Sequence, residues 1–322
     1  MVESLFSINS NKLRGTKKTG WLDITESYFG LEKKIPYFVI YGKEDGPNAV
    51  ITAVIHGDEL NGIPLTYKIF NSINPQKFYG NLVMLPVSNI PAFNVQSRYL
   101  PDRRDLNRLF PGKPDGSEGS RIANTIWNLC IKDADFGIDL HSASYNRWNF
   151  PHIRGNMRLE RVRYLAKIFG AEIVIHSQGV LGSLRREATK RNIPFILFEA
   201  GQINRFEEEP LEVGLSGIWN ILYSLKMVKY QNSKISKTID TSIYYKKSSW
   251  IRATHGGLFV PAVKPGDFIK EGDYLGHIMS LLGEVKDKIK AELSGRILGF
   301  NLHPQVVPGR ALFHVCHDEK SL

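Results

Sequence analysis

The 322-residue chain lacks the features that mark several protein classes. Its two cysteines, Cys130 and Cys316, lie far apart in the sequence and provide neither a disulfide framework nor a paired metal motif. No apolar run approaches the roughly 18 to 20 residues needed to cross a bilayer. The N-terminal segment lacks the basic and apolar stretches of a secretory signal. These absences predict a cytoplasmic protein without a membrane partner.

Positive charge is in excess but is not concentrated. The formal net charge of +10 is compatible with nucleic acid, an acidic membrane surface or small anionic substrates. The basic residues are spread through short segments such as NKLRGTKK, RRDLNR and LRREATKR. The sequence contains no long basic tract and no recognisable nucleic-acid module, so we predict a small anionic substrate and no nucleic-acid partner.

From about residue 36 to residue 225, β-rich apolar runs alternate with helical segments. Strands are predicted at 37–41, 49–55, 80–86, 136–140, 172–175 and 195–198. Helices are predicted at 60–73, 120–130, 158–169, 182–191 and 211–225. This alternation is typical of an α/β domain, so we predict a mixed, mainly parallel sheet flanked by helices. Ligands gather at the carboxyl ends of the strands in such sheets.

The pattern changes towards the C-terminus. Residues 229–242 are polar and predict a linker. From 243 to 322, short β-like runs are interrupted by glycine and proline, and no helical period is visible. We therefore predict an α/β domain at 1–228, a linker at 229–242 and a small all-β domain at 243–322.

The segment VITAVIHGDELNG, residues 50–62, joins a β-branched run to an abrupt polar end. His56 and Glu59 stand three residues apart, where a predicted strand ends and a helix begins. A second strand end, in FGIDLHSAS, contributes Asp139 and His141. Catalytic zinc commonly takes three protein ligands, and two histidines with one glutamate form a recurring set. The two strand ends therefore predict a metal site.

The pattern alone leaves other interpretations open. In a metal-free turn, Asp58 would be a helix N-cap and Glu59 a first-turn acid favoured by the helix dipole. His176 closes another predicted strand, AEIVIH, and competes with His141 as the third ligand. His314, in HVCH, is assigned to a plain β-strand because no second ligand pair accompanies it.

Four motifs in order give the chain a family resemblance. They are the glycine-flanked H-x-x-E, the later D-x-H, RYLPDRRDLNRLFPG at 98–112 and LFEAG at 197–201. With these motifs the chain resembles the succinylglutamate desuccinylase and aspartoacylase family of the zinc carboxypeptidase-like superfamily. The resemblance covers nearly the whole chain, including the predicted small β domain.

The resemblance implies roles for the reacting groups. His56, Glu59 and His141 match the zinc ligands of the family, which implies one Zn²⁺ per chain and displaces His176. Glu199 matches the catalytic glutamate, and Arg98 matches an arginine that polarises the scissile carbonyl.

The resemblance also implies how the substrate is held. Asn107 and Arg108 match residues that hold a substrate carboxylate. Arg185 resembles a further substrate-binding arginine, although the neighbouring Arg186 is equally eligible. Two acids in the same motifs, Asp105 and Asp139, are expected to orient neighbouring arginine or histidine side chains.

These assignments predict a zinc-dependent amidohydrolase that deacylates an N-acyl amino acid or a related small carboxylated amide. An alternative is a zinc carboxypeptidase acting on a peptide or polyglutamate C-terminus, because Asn107 and Arg108 would suit a terminal carboxylate equally well. A homo-oligomer is compatible with the sequence.

A third interpretation is a binding or carrier protein without catalysis. VKPGDFIKEGDYL and AELSGRI look like the hairpins of biotinyl and lipoyl carrier domains, but Glu284 stands where the modified lysine is expected. We therefore expect the C-terminal domain, barrel-sandwich-like, to cap the site and exclude long polypeptides.

Overall fold

The computed structural model describes residues 3–7, 10–26, 32–229 and 242–320. Most of the predicted linker, residues 230–241, lies outside the described residues. Among the described residues, no helix combines the length and apolar character needed to span a bilayer.

From residue 62 to residue 224 helices separate most of the strands, as the sequence predicts, whereas the first three strands follow one another directly. The strands are β1 (Thr16–Glu26), β2 (Glu32–Tyr41), β3 (Glu44–Ala53), β4 (Tyr79–Leu85), β5 (Phe136–His141), β6 (Arg147–Gly155), β7 (Ile173–His176) and β8 (Phe195–Gly201). The helices are α1 (Ser10–Leu13), α2 (Gly62–Ser72), α3 (Ile90–Asn94), α4 (Glu118–Ile126), α5 (Glu160–Phe169), α6 (Leu184–Lys190) and α7 (Glu208–Ser224). Each predicted strand and helix overlaps one of these elements, whereas β1, β6, α1 and α3 are not among the predicted elements.

Residues 242–320 form strands and no helix, in agreement with the β pattern of that part of the sequence. The strands are β9 (Ile243–Arg252), β10 (Gly257–Pro261), β11 (Phe268–Ile269), β12 (Tyr274–Met279), β13 (Val285–Lys290), β14 (Gly295–Asn301), β15 (Gln305–Val306) and β16 (Ala311–Lys320). Strands β10, β12, β13 and β15 form a four-stranded antiparallel sheet.

The other strands form one twelve-stranded sheet in the order β1-β2-β4-β3-β5-β8-β6-β7-β9-β16-β14-β11. Parallel pairs are confined to β4-β3-β5-β8 and β6-β7-β9. The remaining pairs are antiparallel, so the prediction of a mixed sheet is confirmed but the prediction that it is mainly parallel is wrong. Antiparallel strands can be joined by a short connection, as β1 and β2 are, whereas β9 pairs with β16 although six strands lie between them in the sequence.

Helices cover both faces of the central strands. Along β3, Ile51 packs in a core cluster with residues of α2, α5 and α7, while its neighbour Val50 packs in a second cluster with residues of α4 and α6. Successive side chains of a strand point to opposite faces. The continuous apolar run of β3 is therefore explained by burial on both sides, as in other strands of this kind.

Candidate metal centre and active site

Two adjacent parallel strands bring the predicted metal ligands together. Ala53 at the end of β3 pairs with Leu140 of β5, so the last residue of β5 meets the residues that follow β3 at one edge of the sheet. His56, Glu59 and His141 lie there with donor atoms within 4.8 Å of one another. All three are buried, with at most 5% of each residue exposed.

Glu59 lies between the two imidazoles. Its Oε1 is 2.8 Å from His56 Nδ1 and its Oε2 is 2.7 Å from His141 Nδ1. Burial by itself raises the pKa of Glu59, but the two histidines lower it more strongly, to about 2. The carboxylate is therefore ionised at neutral pH, which is the form that binds a cation.

A close contact explains the glycine of the motif. A Cβ atom on Gly57 would lie 2.1 Å from the carbonyl carbon of Ala92 and 2.3 Å from the nitrogen of Phe93, both in α3. The Gly57 amide also donates to the carbonyl of Ser97 at 3.0 Å. The chain therefore passes against α3 at a distance that only glycine permits, and this contact fixes His56 on one side and Glu59 on the other.

The second nitrogen of each histidine faces a further carboxylate. His141 Nε2 lies 2.8 Å from Asp139 Oδ2, and Asp139 in turn accepts a hydrogen bond from Thr52. His56 Nε2 lies 3.3 Å from Asp105 Oδ1, without the alignment of a hydrogen bond. Carboxylates behind the ligating histidines are characteristic of metal sites, where they orient the imidazole rings.

Glu199 lies on β8 beside the metal-binding group. Its register partner on β5 is His141. Asn149 Nδ2 donates to its Oε1 at 2.7 Å, and Arg154 Nε donates to its Oε2 at 3.0 Å. Burial raises the pKa of Glu199, but Arg154 and His152 hold it well below its usual range, so the carboxylate is ionised.

The loop that contains RYLPDRRDLNR is organised around Asp105. Arg98 Nη2 donates to Asp105 Oδ2 at 2.9 Å, and Arg98 Nη1 lies 3.3 Å from Glu59. The other Asp105 oxygen accepts the Asn107 amide at 2.8 Å, while Arg108 lies 3.6 Å from Asp105. Asp105 therefore connects the metal-binding group with the residues predicted to hold substrate.

Two predicted roles, substrate binding and the third metal ligand, each had two candidate residues, and the structure distinguishes between them. Arg185, on α6, is 5% exposed and donates to the carbonyl and hydroxyl of Ser177. Arg186 donates instead to the Gly179 carbonyl and does not line the pocket of Arg185. His176 accepts a hydrogen bond from the Met157 amide and lies outside the metal-binding group, so the competing third ligand is not brought to the site.

One cavity of about 330 Å³ joins these residues. It is lined by all the site residues predicted from the sequence, namely His56, Glu59, Arg98, Asn107, Arg108, His141, Arg185 and Glu199. It is also lined by residues that the sequence did not reveal, namely Arg147, Asn149, Arg154, Trp250 and His314. Arg147, Asn149 and Arg154 belong to β6. The pairing of β6 with β8 is irregular between residues 149 and 152, and as a result both Asn149 and Arg154 donate hydrogen bonds to Glu199.

Known proteins resemble the chain in sequence and fold. The succinylglutamate desuccinylase/aspartoacylase catalytic domain matches residues 45–225. The N-alpha-acetyl-L-2,4-diaminobutyric acid deacetylase of Halomonas elongata is 28% identical over 279 residues, which are 81% of this chain and 79% of that protein.

Two solved structures have the same fold. The succinylglutamate desuccinylase/aspartoacylase of Rhodobacter sphaeroides superimposes with a TM-score of 0.81 at 22% identity, over 94% of this chain and 96% of that chain. The product-bound ectoine utilization protein of Ruegeria pomeroyi gives a TM-score of 0.82 at 21% identity, over 93% and 95%.

The matched catalytic segment covers more than half of the chain and contains all three residues of the metal-binding group. The chain therefore belongs to the succinylglutamate desuccinylase/aspartoacylase family and is a hydrolase of carbon–nitrogen amide bonds.

Proposed function

We propose that the chain is a zinc-dependent deacylase that cleaves the amide bond of a small N-acyl amino acid. The observation that carries this proposal is the convergence of two Nδ1 atoms and one carboxylate in a buried group beside an ionised glutamate. The donor set fits zinc, which accepts two histidines and one glutamate and keeps a further position open. His56, Glu59 and His141 would hold one ion per chain.

Zinc, when bound, supplies a Lewis acid that polarises the amide carbonyl and makes hydroxide available near neutral pH. Glu199 takes the proton of the attacking water and delivers it to the nitrogen of the leaving amine. The carbonyl carbon gains an oxygen, the carbon–nitrogen bond breaks, and the products are a carboxylate and an amine. Because Glu199 is ionised before reaction, it can accept that proton.

Arg98 is the proposed donor to the oxygen of the carbonyl. Its side chain is 16% exposed and is fixed on Asp105. A guanidinium fixed before reaction stabilises the negative charge that grows on the carbonyl oxygen without having to reorganise. Arg98 therefore acts by electrostatics rather than by proton transfer.

The substrate carboxylate is proposed to bind Asn107, Arg108 and Arg185. Asn107 is positioned by its side-chain oxygen, which accepts the Leu184 amide at 2.9 Å. The buried Arg185 has an Nε without a hydrogen-bond partner, and burial lowers its pKa to about 10, which leaves it charged at neutral pH. A carboxylate is the natural partner for a forked guanidinium in such a position.

Two observations favour an N-acyl amino acid over a peptide. The relative from Halomonas elongata deacetylates an N-acetylated amino acid, as its name states. Trp250 and His314 of the C-terminal strands line the cavity, so this part of the chain narrows the site as a cap would. We therefore rank the carboxypeptidase alternative second. We also propose a cytoplasmic location, since Cys130 and Cys316 are both unpaired.

The proposal is tested by metal analysis together with a hydrolysis panel. The panel contains acetyl and succinyl amino acids and, for the carboxypeptidase alternative, oligoglutamate. We expect about one zinc per chain and turnover of at least one N-acyl amino acid. Release of glutamate from oligoglutamate alone would favour the carboxypeptidase, and zinc-loaded protein that hydrolyses no compound would refute both.

A further inference from the structure

The charges that line the active-site cavity do not balance. Its lining contains five arginines but only two carboxylates, Glu59 and Glu199. Arg98, Arg108 and Arg154 each lie close to a carboxylate. Among the residues that the structure describes, Arg147 and Arg185 form no ion pair. Arg185 is the proposed partner of the substrate carboxylate, which leaves one guanidinium, that of Arg147, without a role.

Arg147 lies at the junction between the two parts of the chain. It begins β6 and pairs with Asn301 at the end of β14. Its guanidinium carbon lies 4.5 Å from the centre of the Trp250 ring. Trp250 in turn stacks on His314, with ring centres 4.2 Å apart and planes inclined by 8°. This stack fixes the position of a cation that lines the cavity.

The stack is built into the sheet. Trp250 on β9 and His314 on β16 are direct register partners, so their side chains stand on the same face of two paired strands. His314 is 5% exposed, which leaves the imidazole little room to move. The indole is therefore held against a buried ring on one side and presents its other face to Arg147.

The surroundings of Arg147 favour an anion as its partner. Burial is the main cause that lowers the pKa of Arg147, and repulsion from Arg310 and Arg252 adds to it, against attraction by Glu199. Its N–H donors have no hydrogen-bond partner among the described residues. A planar guanidinium that stacks on an aromatic ring keeps its in-plane donors available to a carboxylate.

We propose that Arg147, held on Trp250, binds a second anionic group of the substrate and thereby selects doubly anionic amides over neutral or cationic ones. This inference rests on the proposed deacylase function. Arg147 of β6, which the C-terminal strands hold in place, would then determine which substrate charge the site accepts. A substrate ammonium would meet excess positive charge in this cavity, since both lining carboxylates are occupied by other groups.

The test compares compounds that differ only in charge. N-acetyl-L-glutamate is paired with N-acetyl-L-glutamine, and N-succinyl-L-alanine with N-succinamoyl-L-alanine, so each pair exchanges a carboxylate for a carboxamide of equal size. Binding is measured by calorimetry with the zinc-loaded Glu199→Gln protein, in which turnover is suppressed. We expect the carboxylate of at least one pair to bind tenfold or more tightly than its carboxamide.

Two further substitutions, each made in the Glu199→Gln protein, test whether Arg147 is the source of the preference for the carboxylate. Arg147→Met is expected to bring that affinity ratio to within twofold, because the methionine keeps the contact with Trp250 but removes the charge. Arg252→Met is the matched control. Arg252 contributes to the positive potential but donates to the Gly309 carbonyl and does not line the cavity. We expect this variant to keep the ratio within about twofold of the parent.

Equal affinities within both pairs, or no binding of any of the four compounds, would overturn the inference. An equal loss of affinity for carboxylate and carboxamide in Arg147→Met would also overturn it, since that result indicates a structural role. Hydrolysis of the same four compounds by the protein with Glu199 intact reports separately on the deacylase function. Turnover without charge preference would contradict only the second anionic site.

Discussion

Asp139 is the residue that decides which nitrogen of His141 is free to bind a metal. It is fully buried, accepts from Thr52 with one oxygen and faces His141 Nε2 with the other. When Nε2 carries the proton, it donates a hydrogen bond to the Asp139 carboxylate. Nδ1 is then unprotonated, and its lone pair is directed towards Glu59. The carboxylate thus selects the tautomer that the metal requires.

We predict that Asp139→Asn weakens zinc binding by about 10- to 100-fold, the usual cost of altering such a partner. An asparagine can present an amide donor to Nε2 and so favour the wrong tautomer. Competition with a chromophoric chelator measures the affinity. Asp135→Asn is the control, because Asp135 accepts the Asn48 amide on the surface just before the same strand. Equal affinities for the Asp139 variant and wild type would contradict this account.

Glu199 provides a second prediction about a single residue. Glu199→Gln keeps the size of the side chain and its contact with Asn149 but cannot accept a proton. Loss of a general base typically costs about 100- to 10,000-fold in rate. We expect that loss in kcat with zinc content unchanged, as measured by metal analysis and initial rates. Glu212→Gln, on the exposed side of α7, serves as control. A fully active Glu199→Gln enzyme would require another base.

At the level of secondary-structure elements, the turn that follows β3 is held by its close contact with α3. Gly57→Ala would place a Cβ atom within 2.1 Å of the Ala92 backbone, so α3 or the turn must move. Overpacking of this kind costs about 1 to 3 kcal/mol. We expect a decrease of that size in the free energy of unfolding of the zinc-free protein, measured in urea, together with weaker zinc binding.

Gly256→Ala is the matched control, since a Cβ atom there would meet only ordinary contacts, with the nearest atom at 3.5 Å. It should change the free energy of unfolding by less than about 0.5 kcal/mol, as most surface substitutions do. If Gly57→Ala is as stable as this control and binds zinc normally, the turn does not depend on the close approach.

Some elements of this fold leave a clear signal in the sequence and others do not. The predicted strand at 49–55 overlaps β3 because a strand buried on both faces needs a continuous apolar run. Strand β6, RWNFPHIRG, was missed because Pro151 and its polar residues are atypical of a strand inside a sheet. Arg147, Asn149 and Arg154 of this strand instead line the cavity, so the requirements of the site replace the residue pattern that identifies a strand.

The residues of the site differ in the same way. Residues at strand ends, such as His56 and His141, were found because polar groups after an apolar run are conspicuous. Arg154 and Trp250 were not, since their role depends on which strands become neighbours. The register that places Arg154 beside Glu199 is set by pairing between β6 and β8, which lie 45 residues apart at this contact. Local patterns carry no information about such pairing.

At the scale of the whole molecule, the predicted domains share one sheet. Strand β9 pairs with β7, and β14 pairs with β6, so the C-terminal strands extend the sheet of the α/β part. A small core cluster crosses this junction and includes Ile173, Leu298 and Cys316, while Arg296 pairs with Glu172 at 2.5 Å. The division into domains at 1–228 and 243–322 stays a prediction, because its boundaries do not separate independent sheets.

This continuity predicts that both parts of the chain unfold together. Leu298 is fully buried in the cluster at the junction, and its truncation to alanine should cost about 2 to 5 kcal/mol. We expect Leu298→Ala to lower the temperature of one common transition, whereas Leu302→Ala, 37% exposed, should leave it nearly unchanged. Calorimetry together with hydrogen exchange in β3 and β12 measures both parts. Separate melting of β12 in Leu298→Ala, with β3 as stable as in wild type, would show that the C-terminal strands fold on their own and only cap the site.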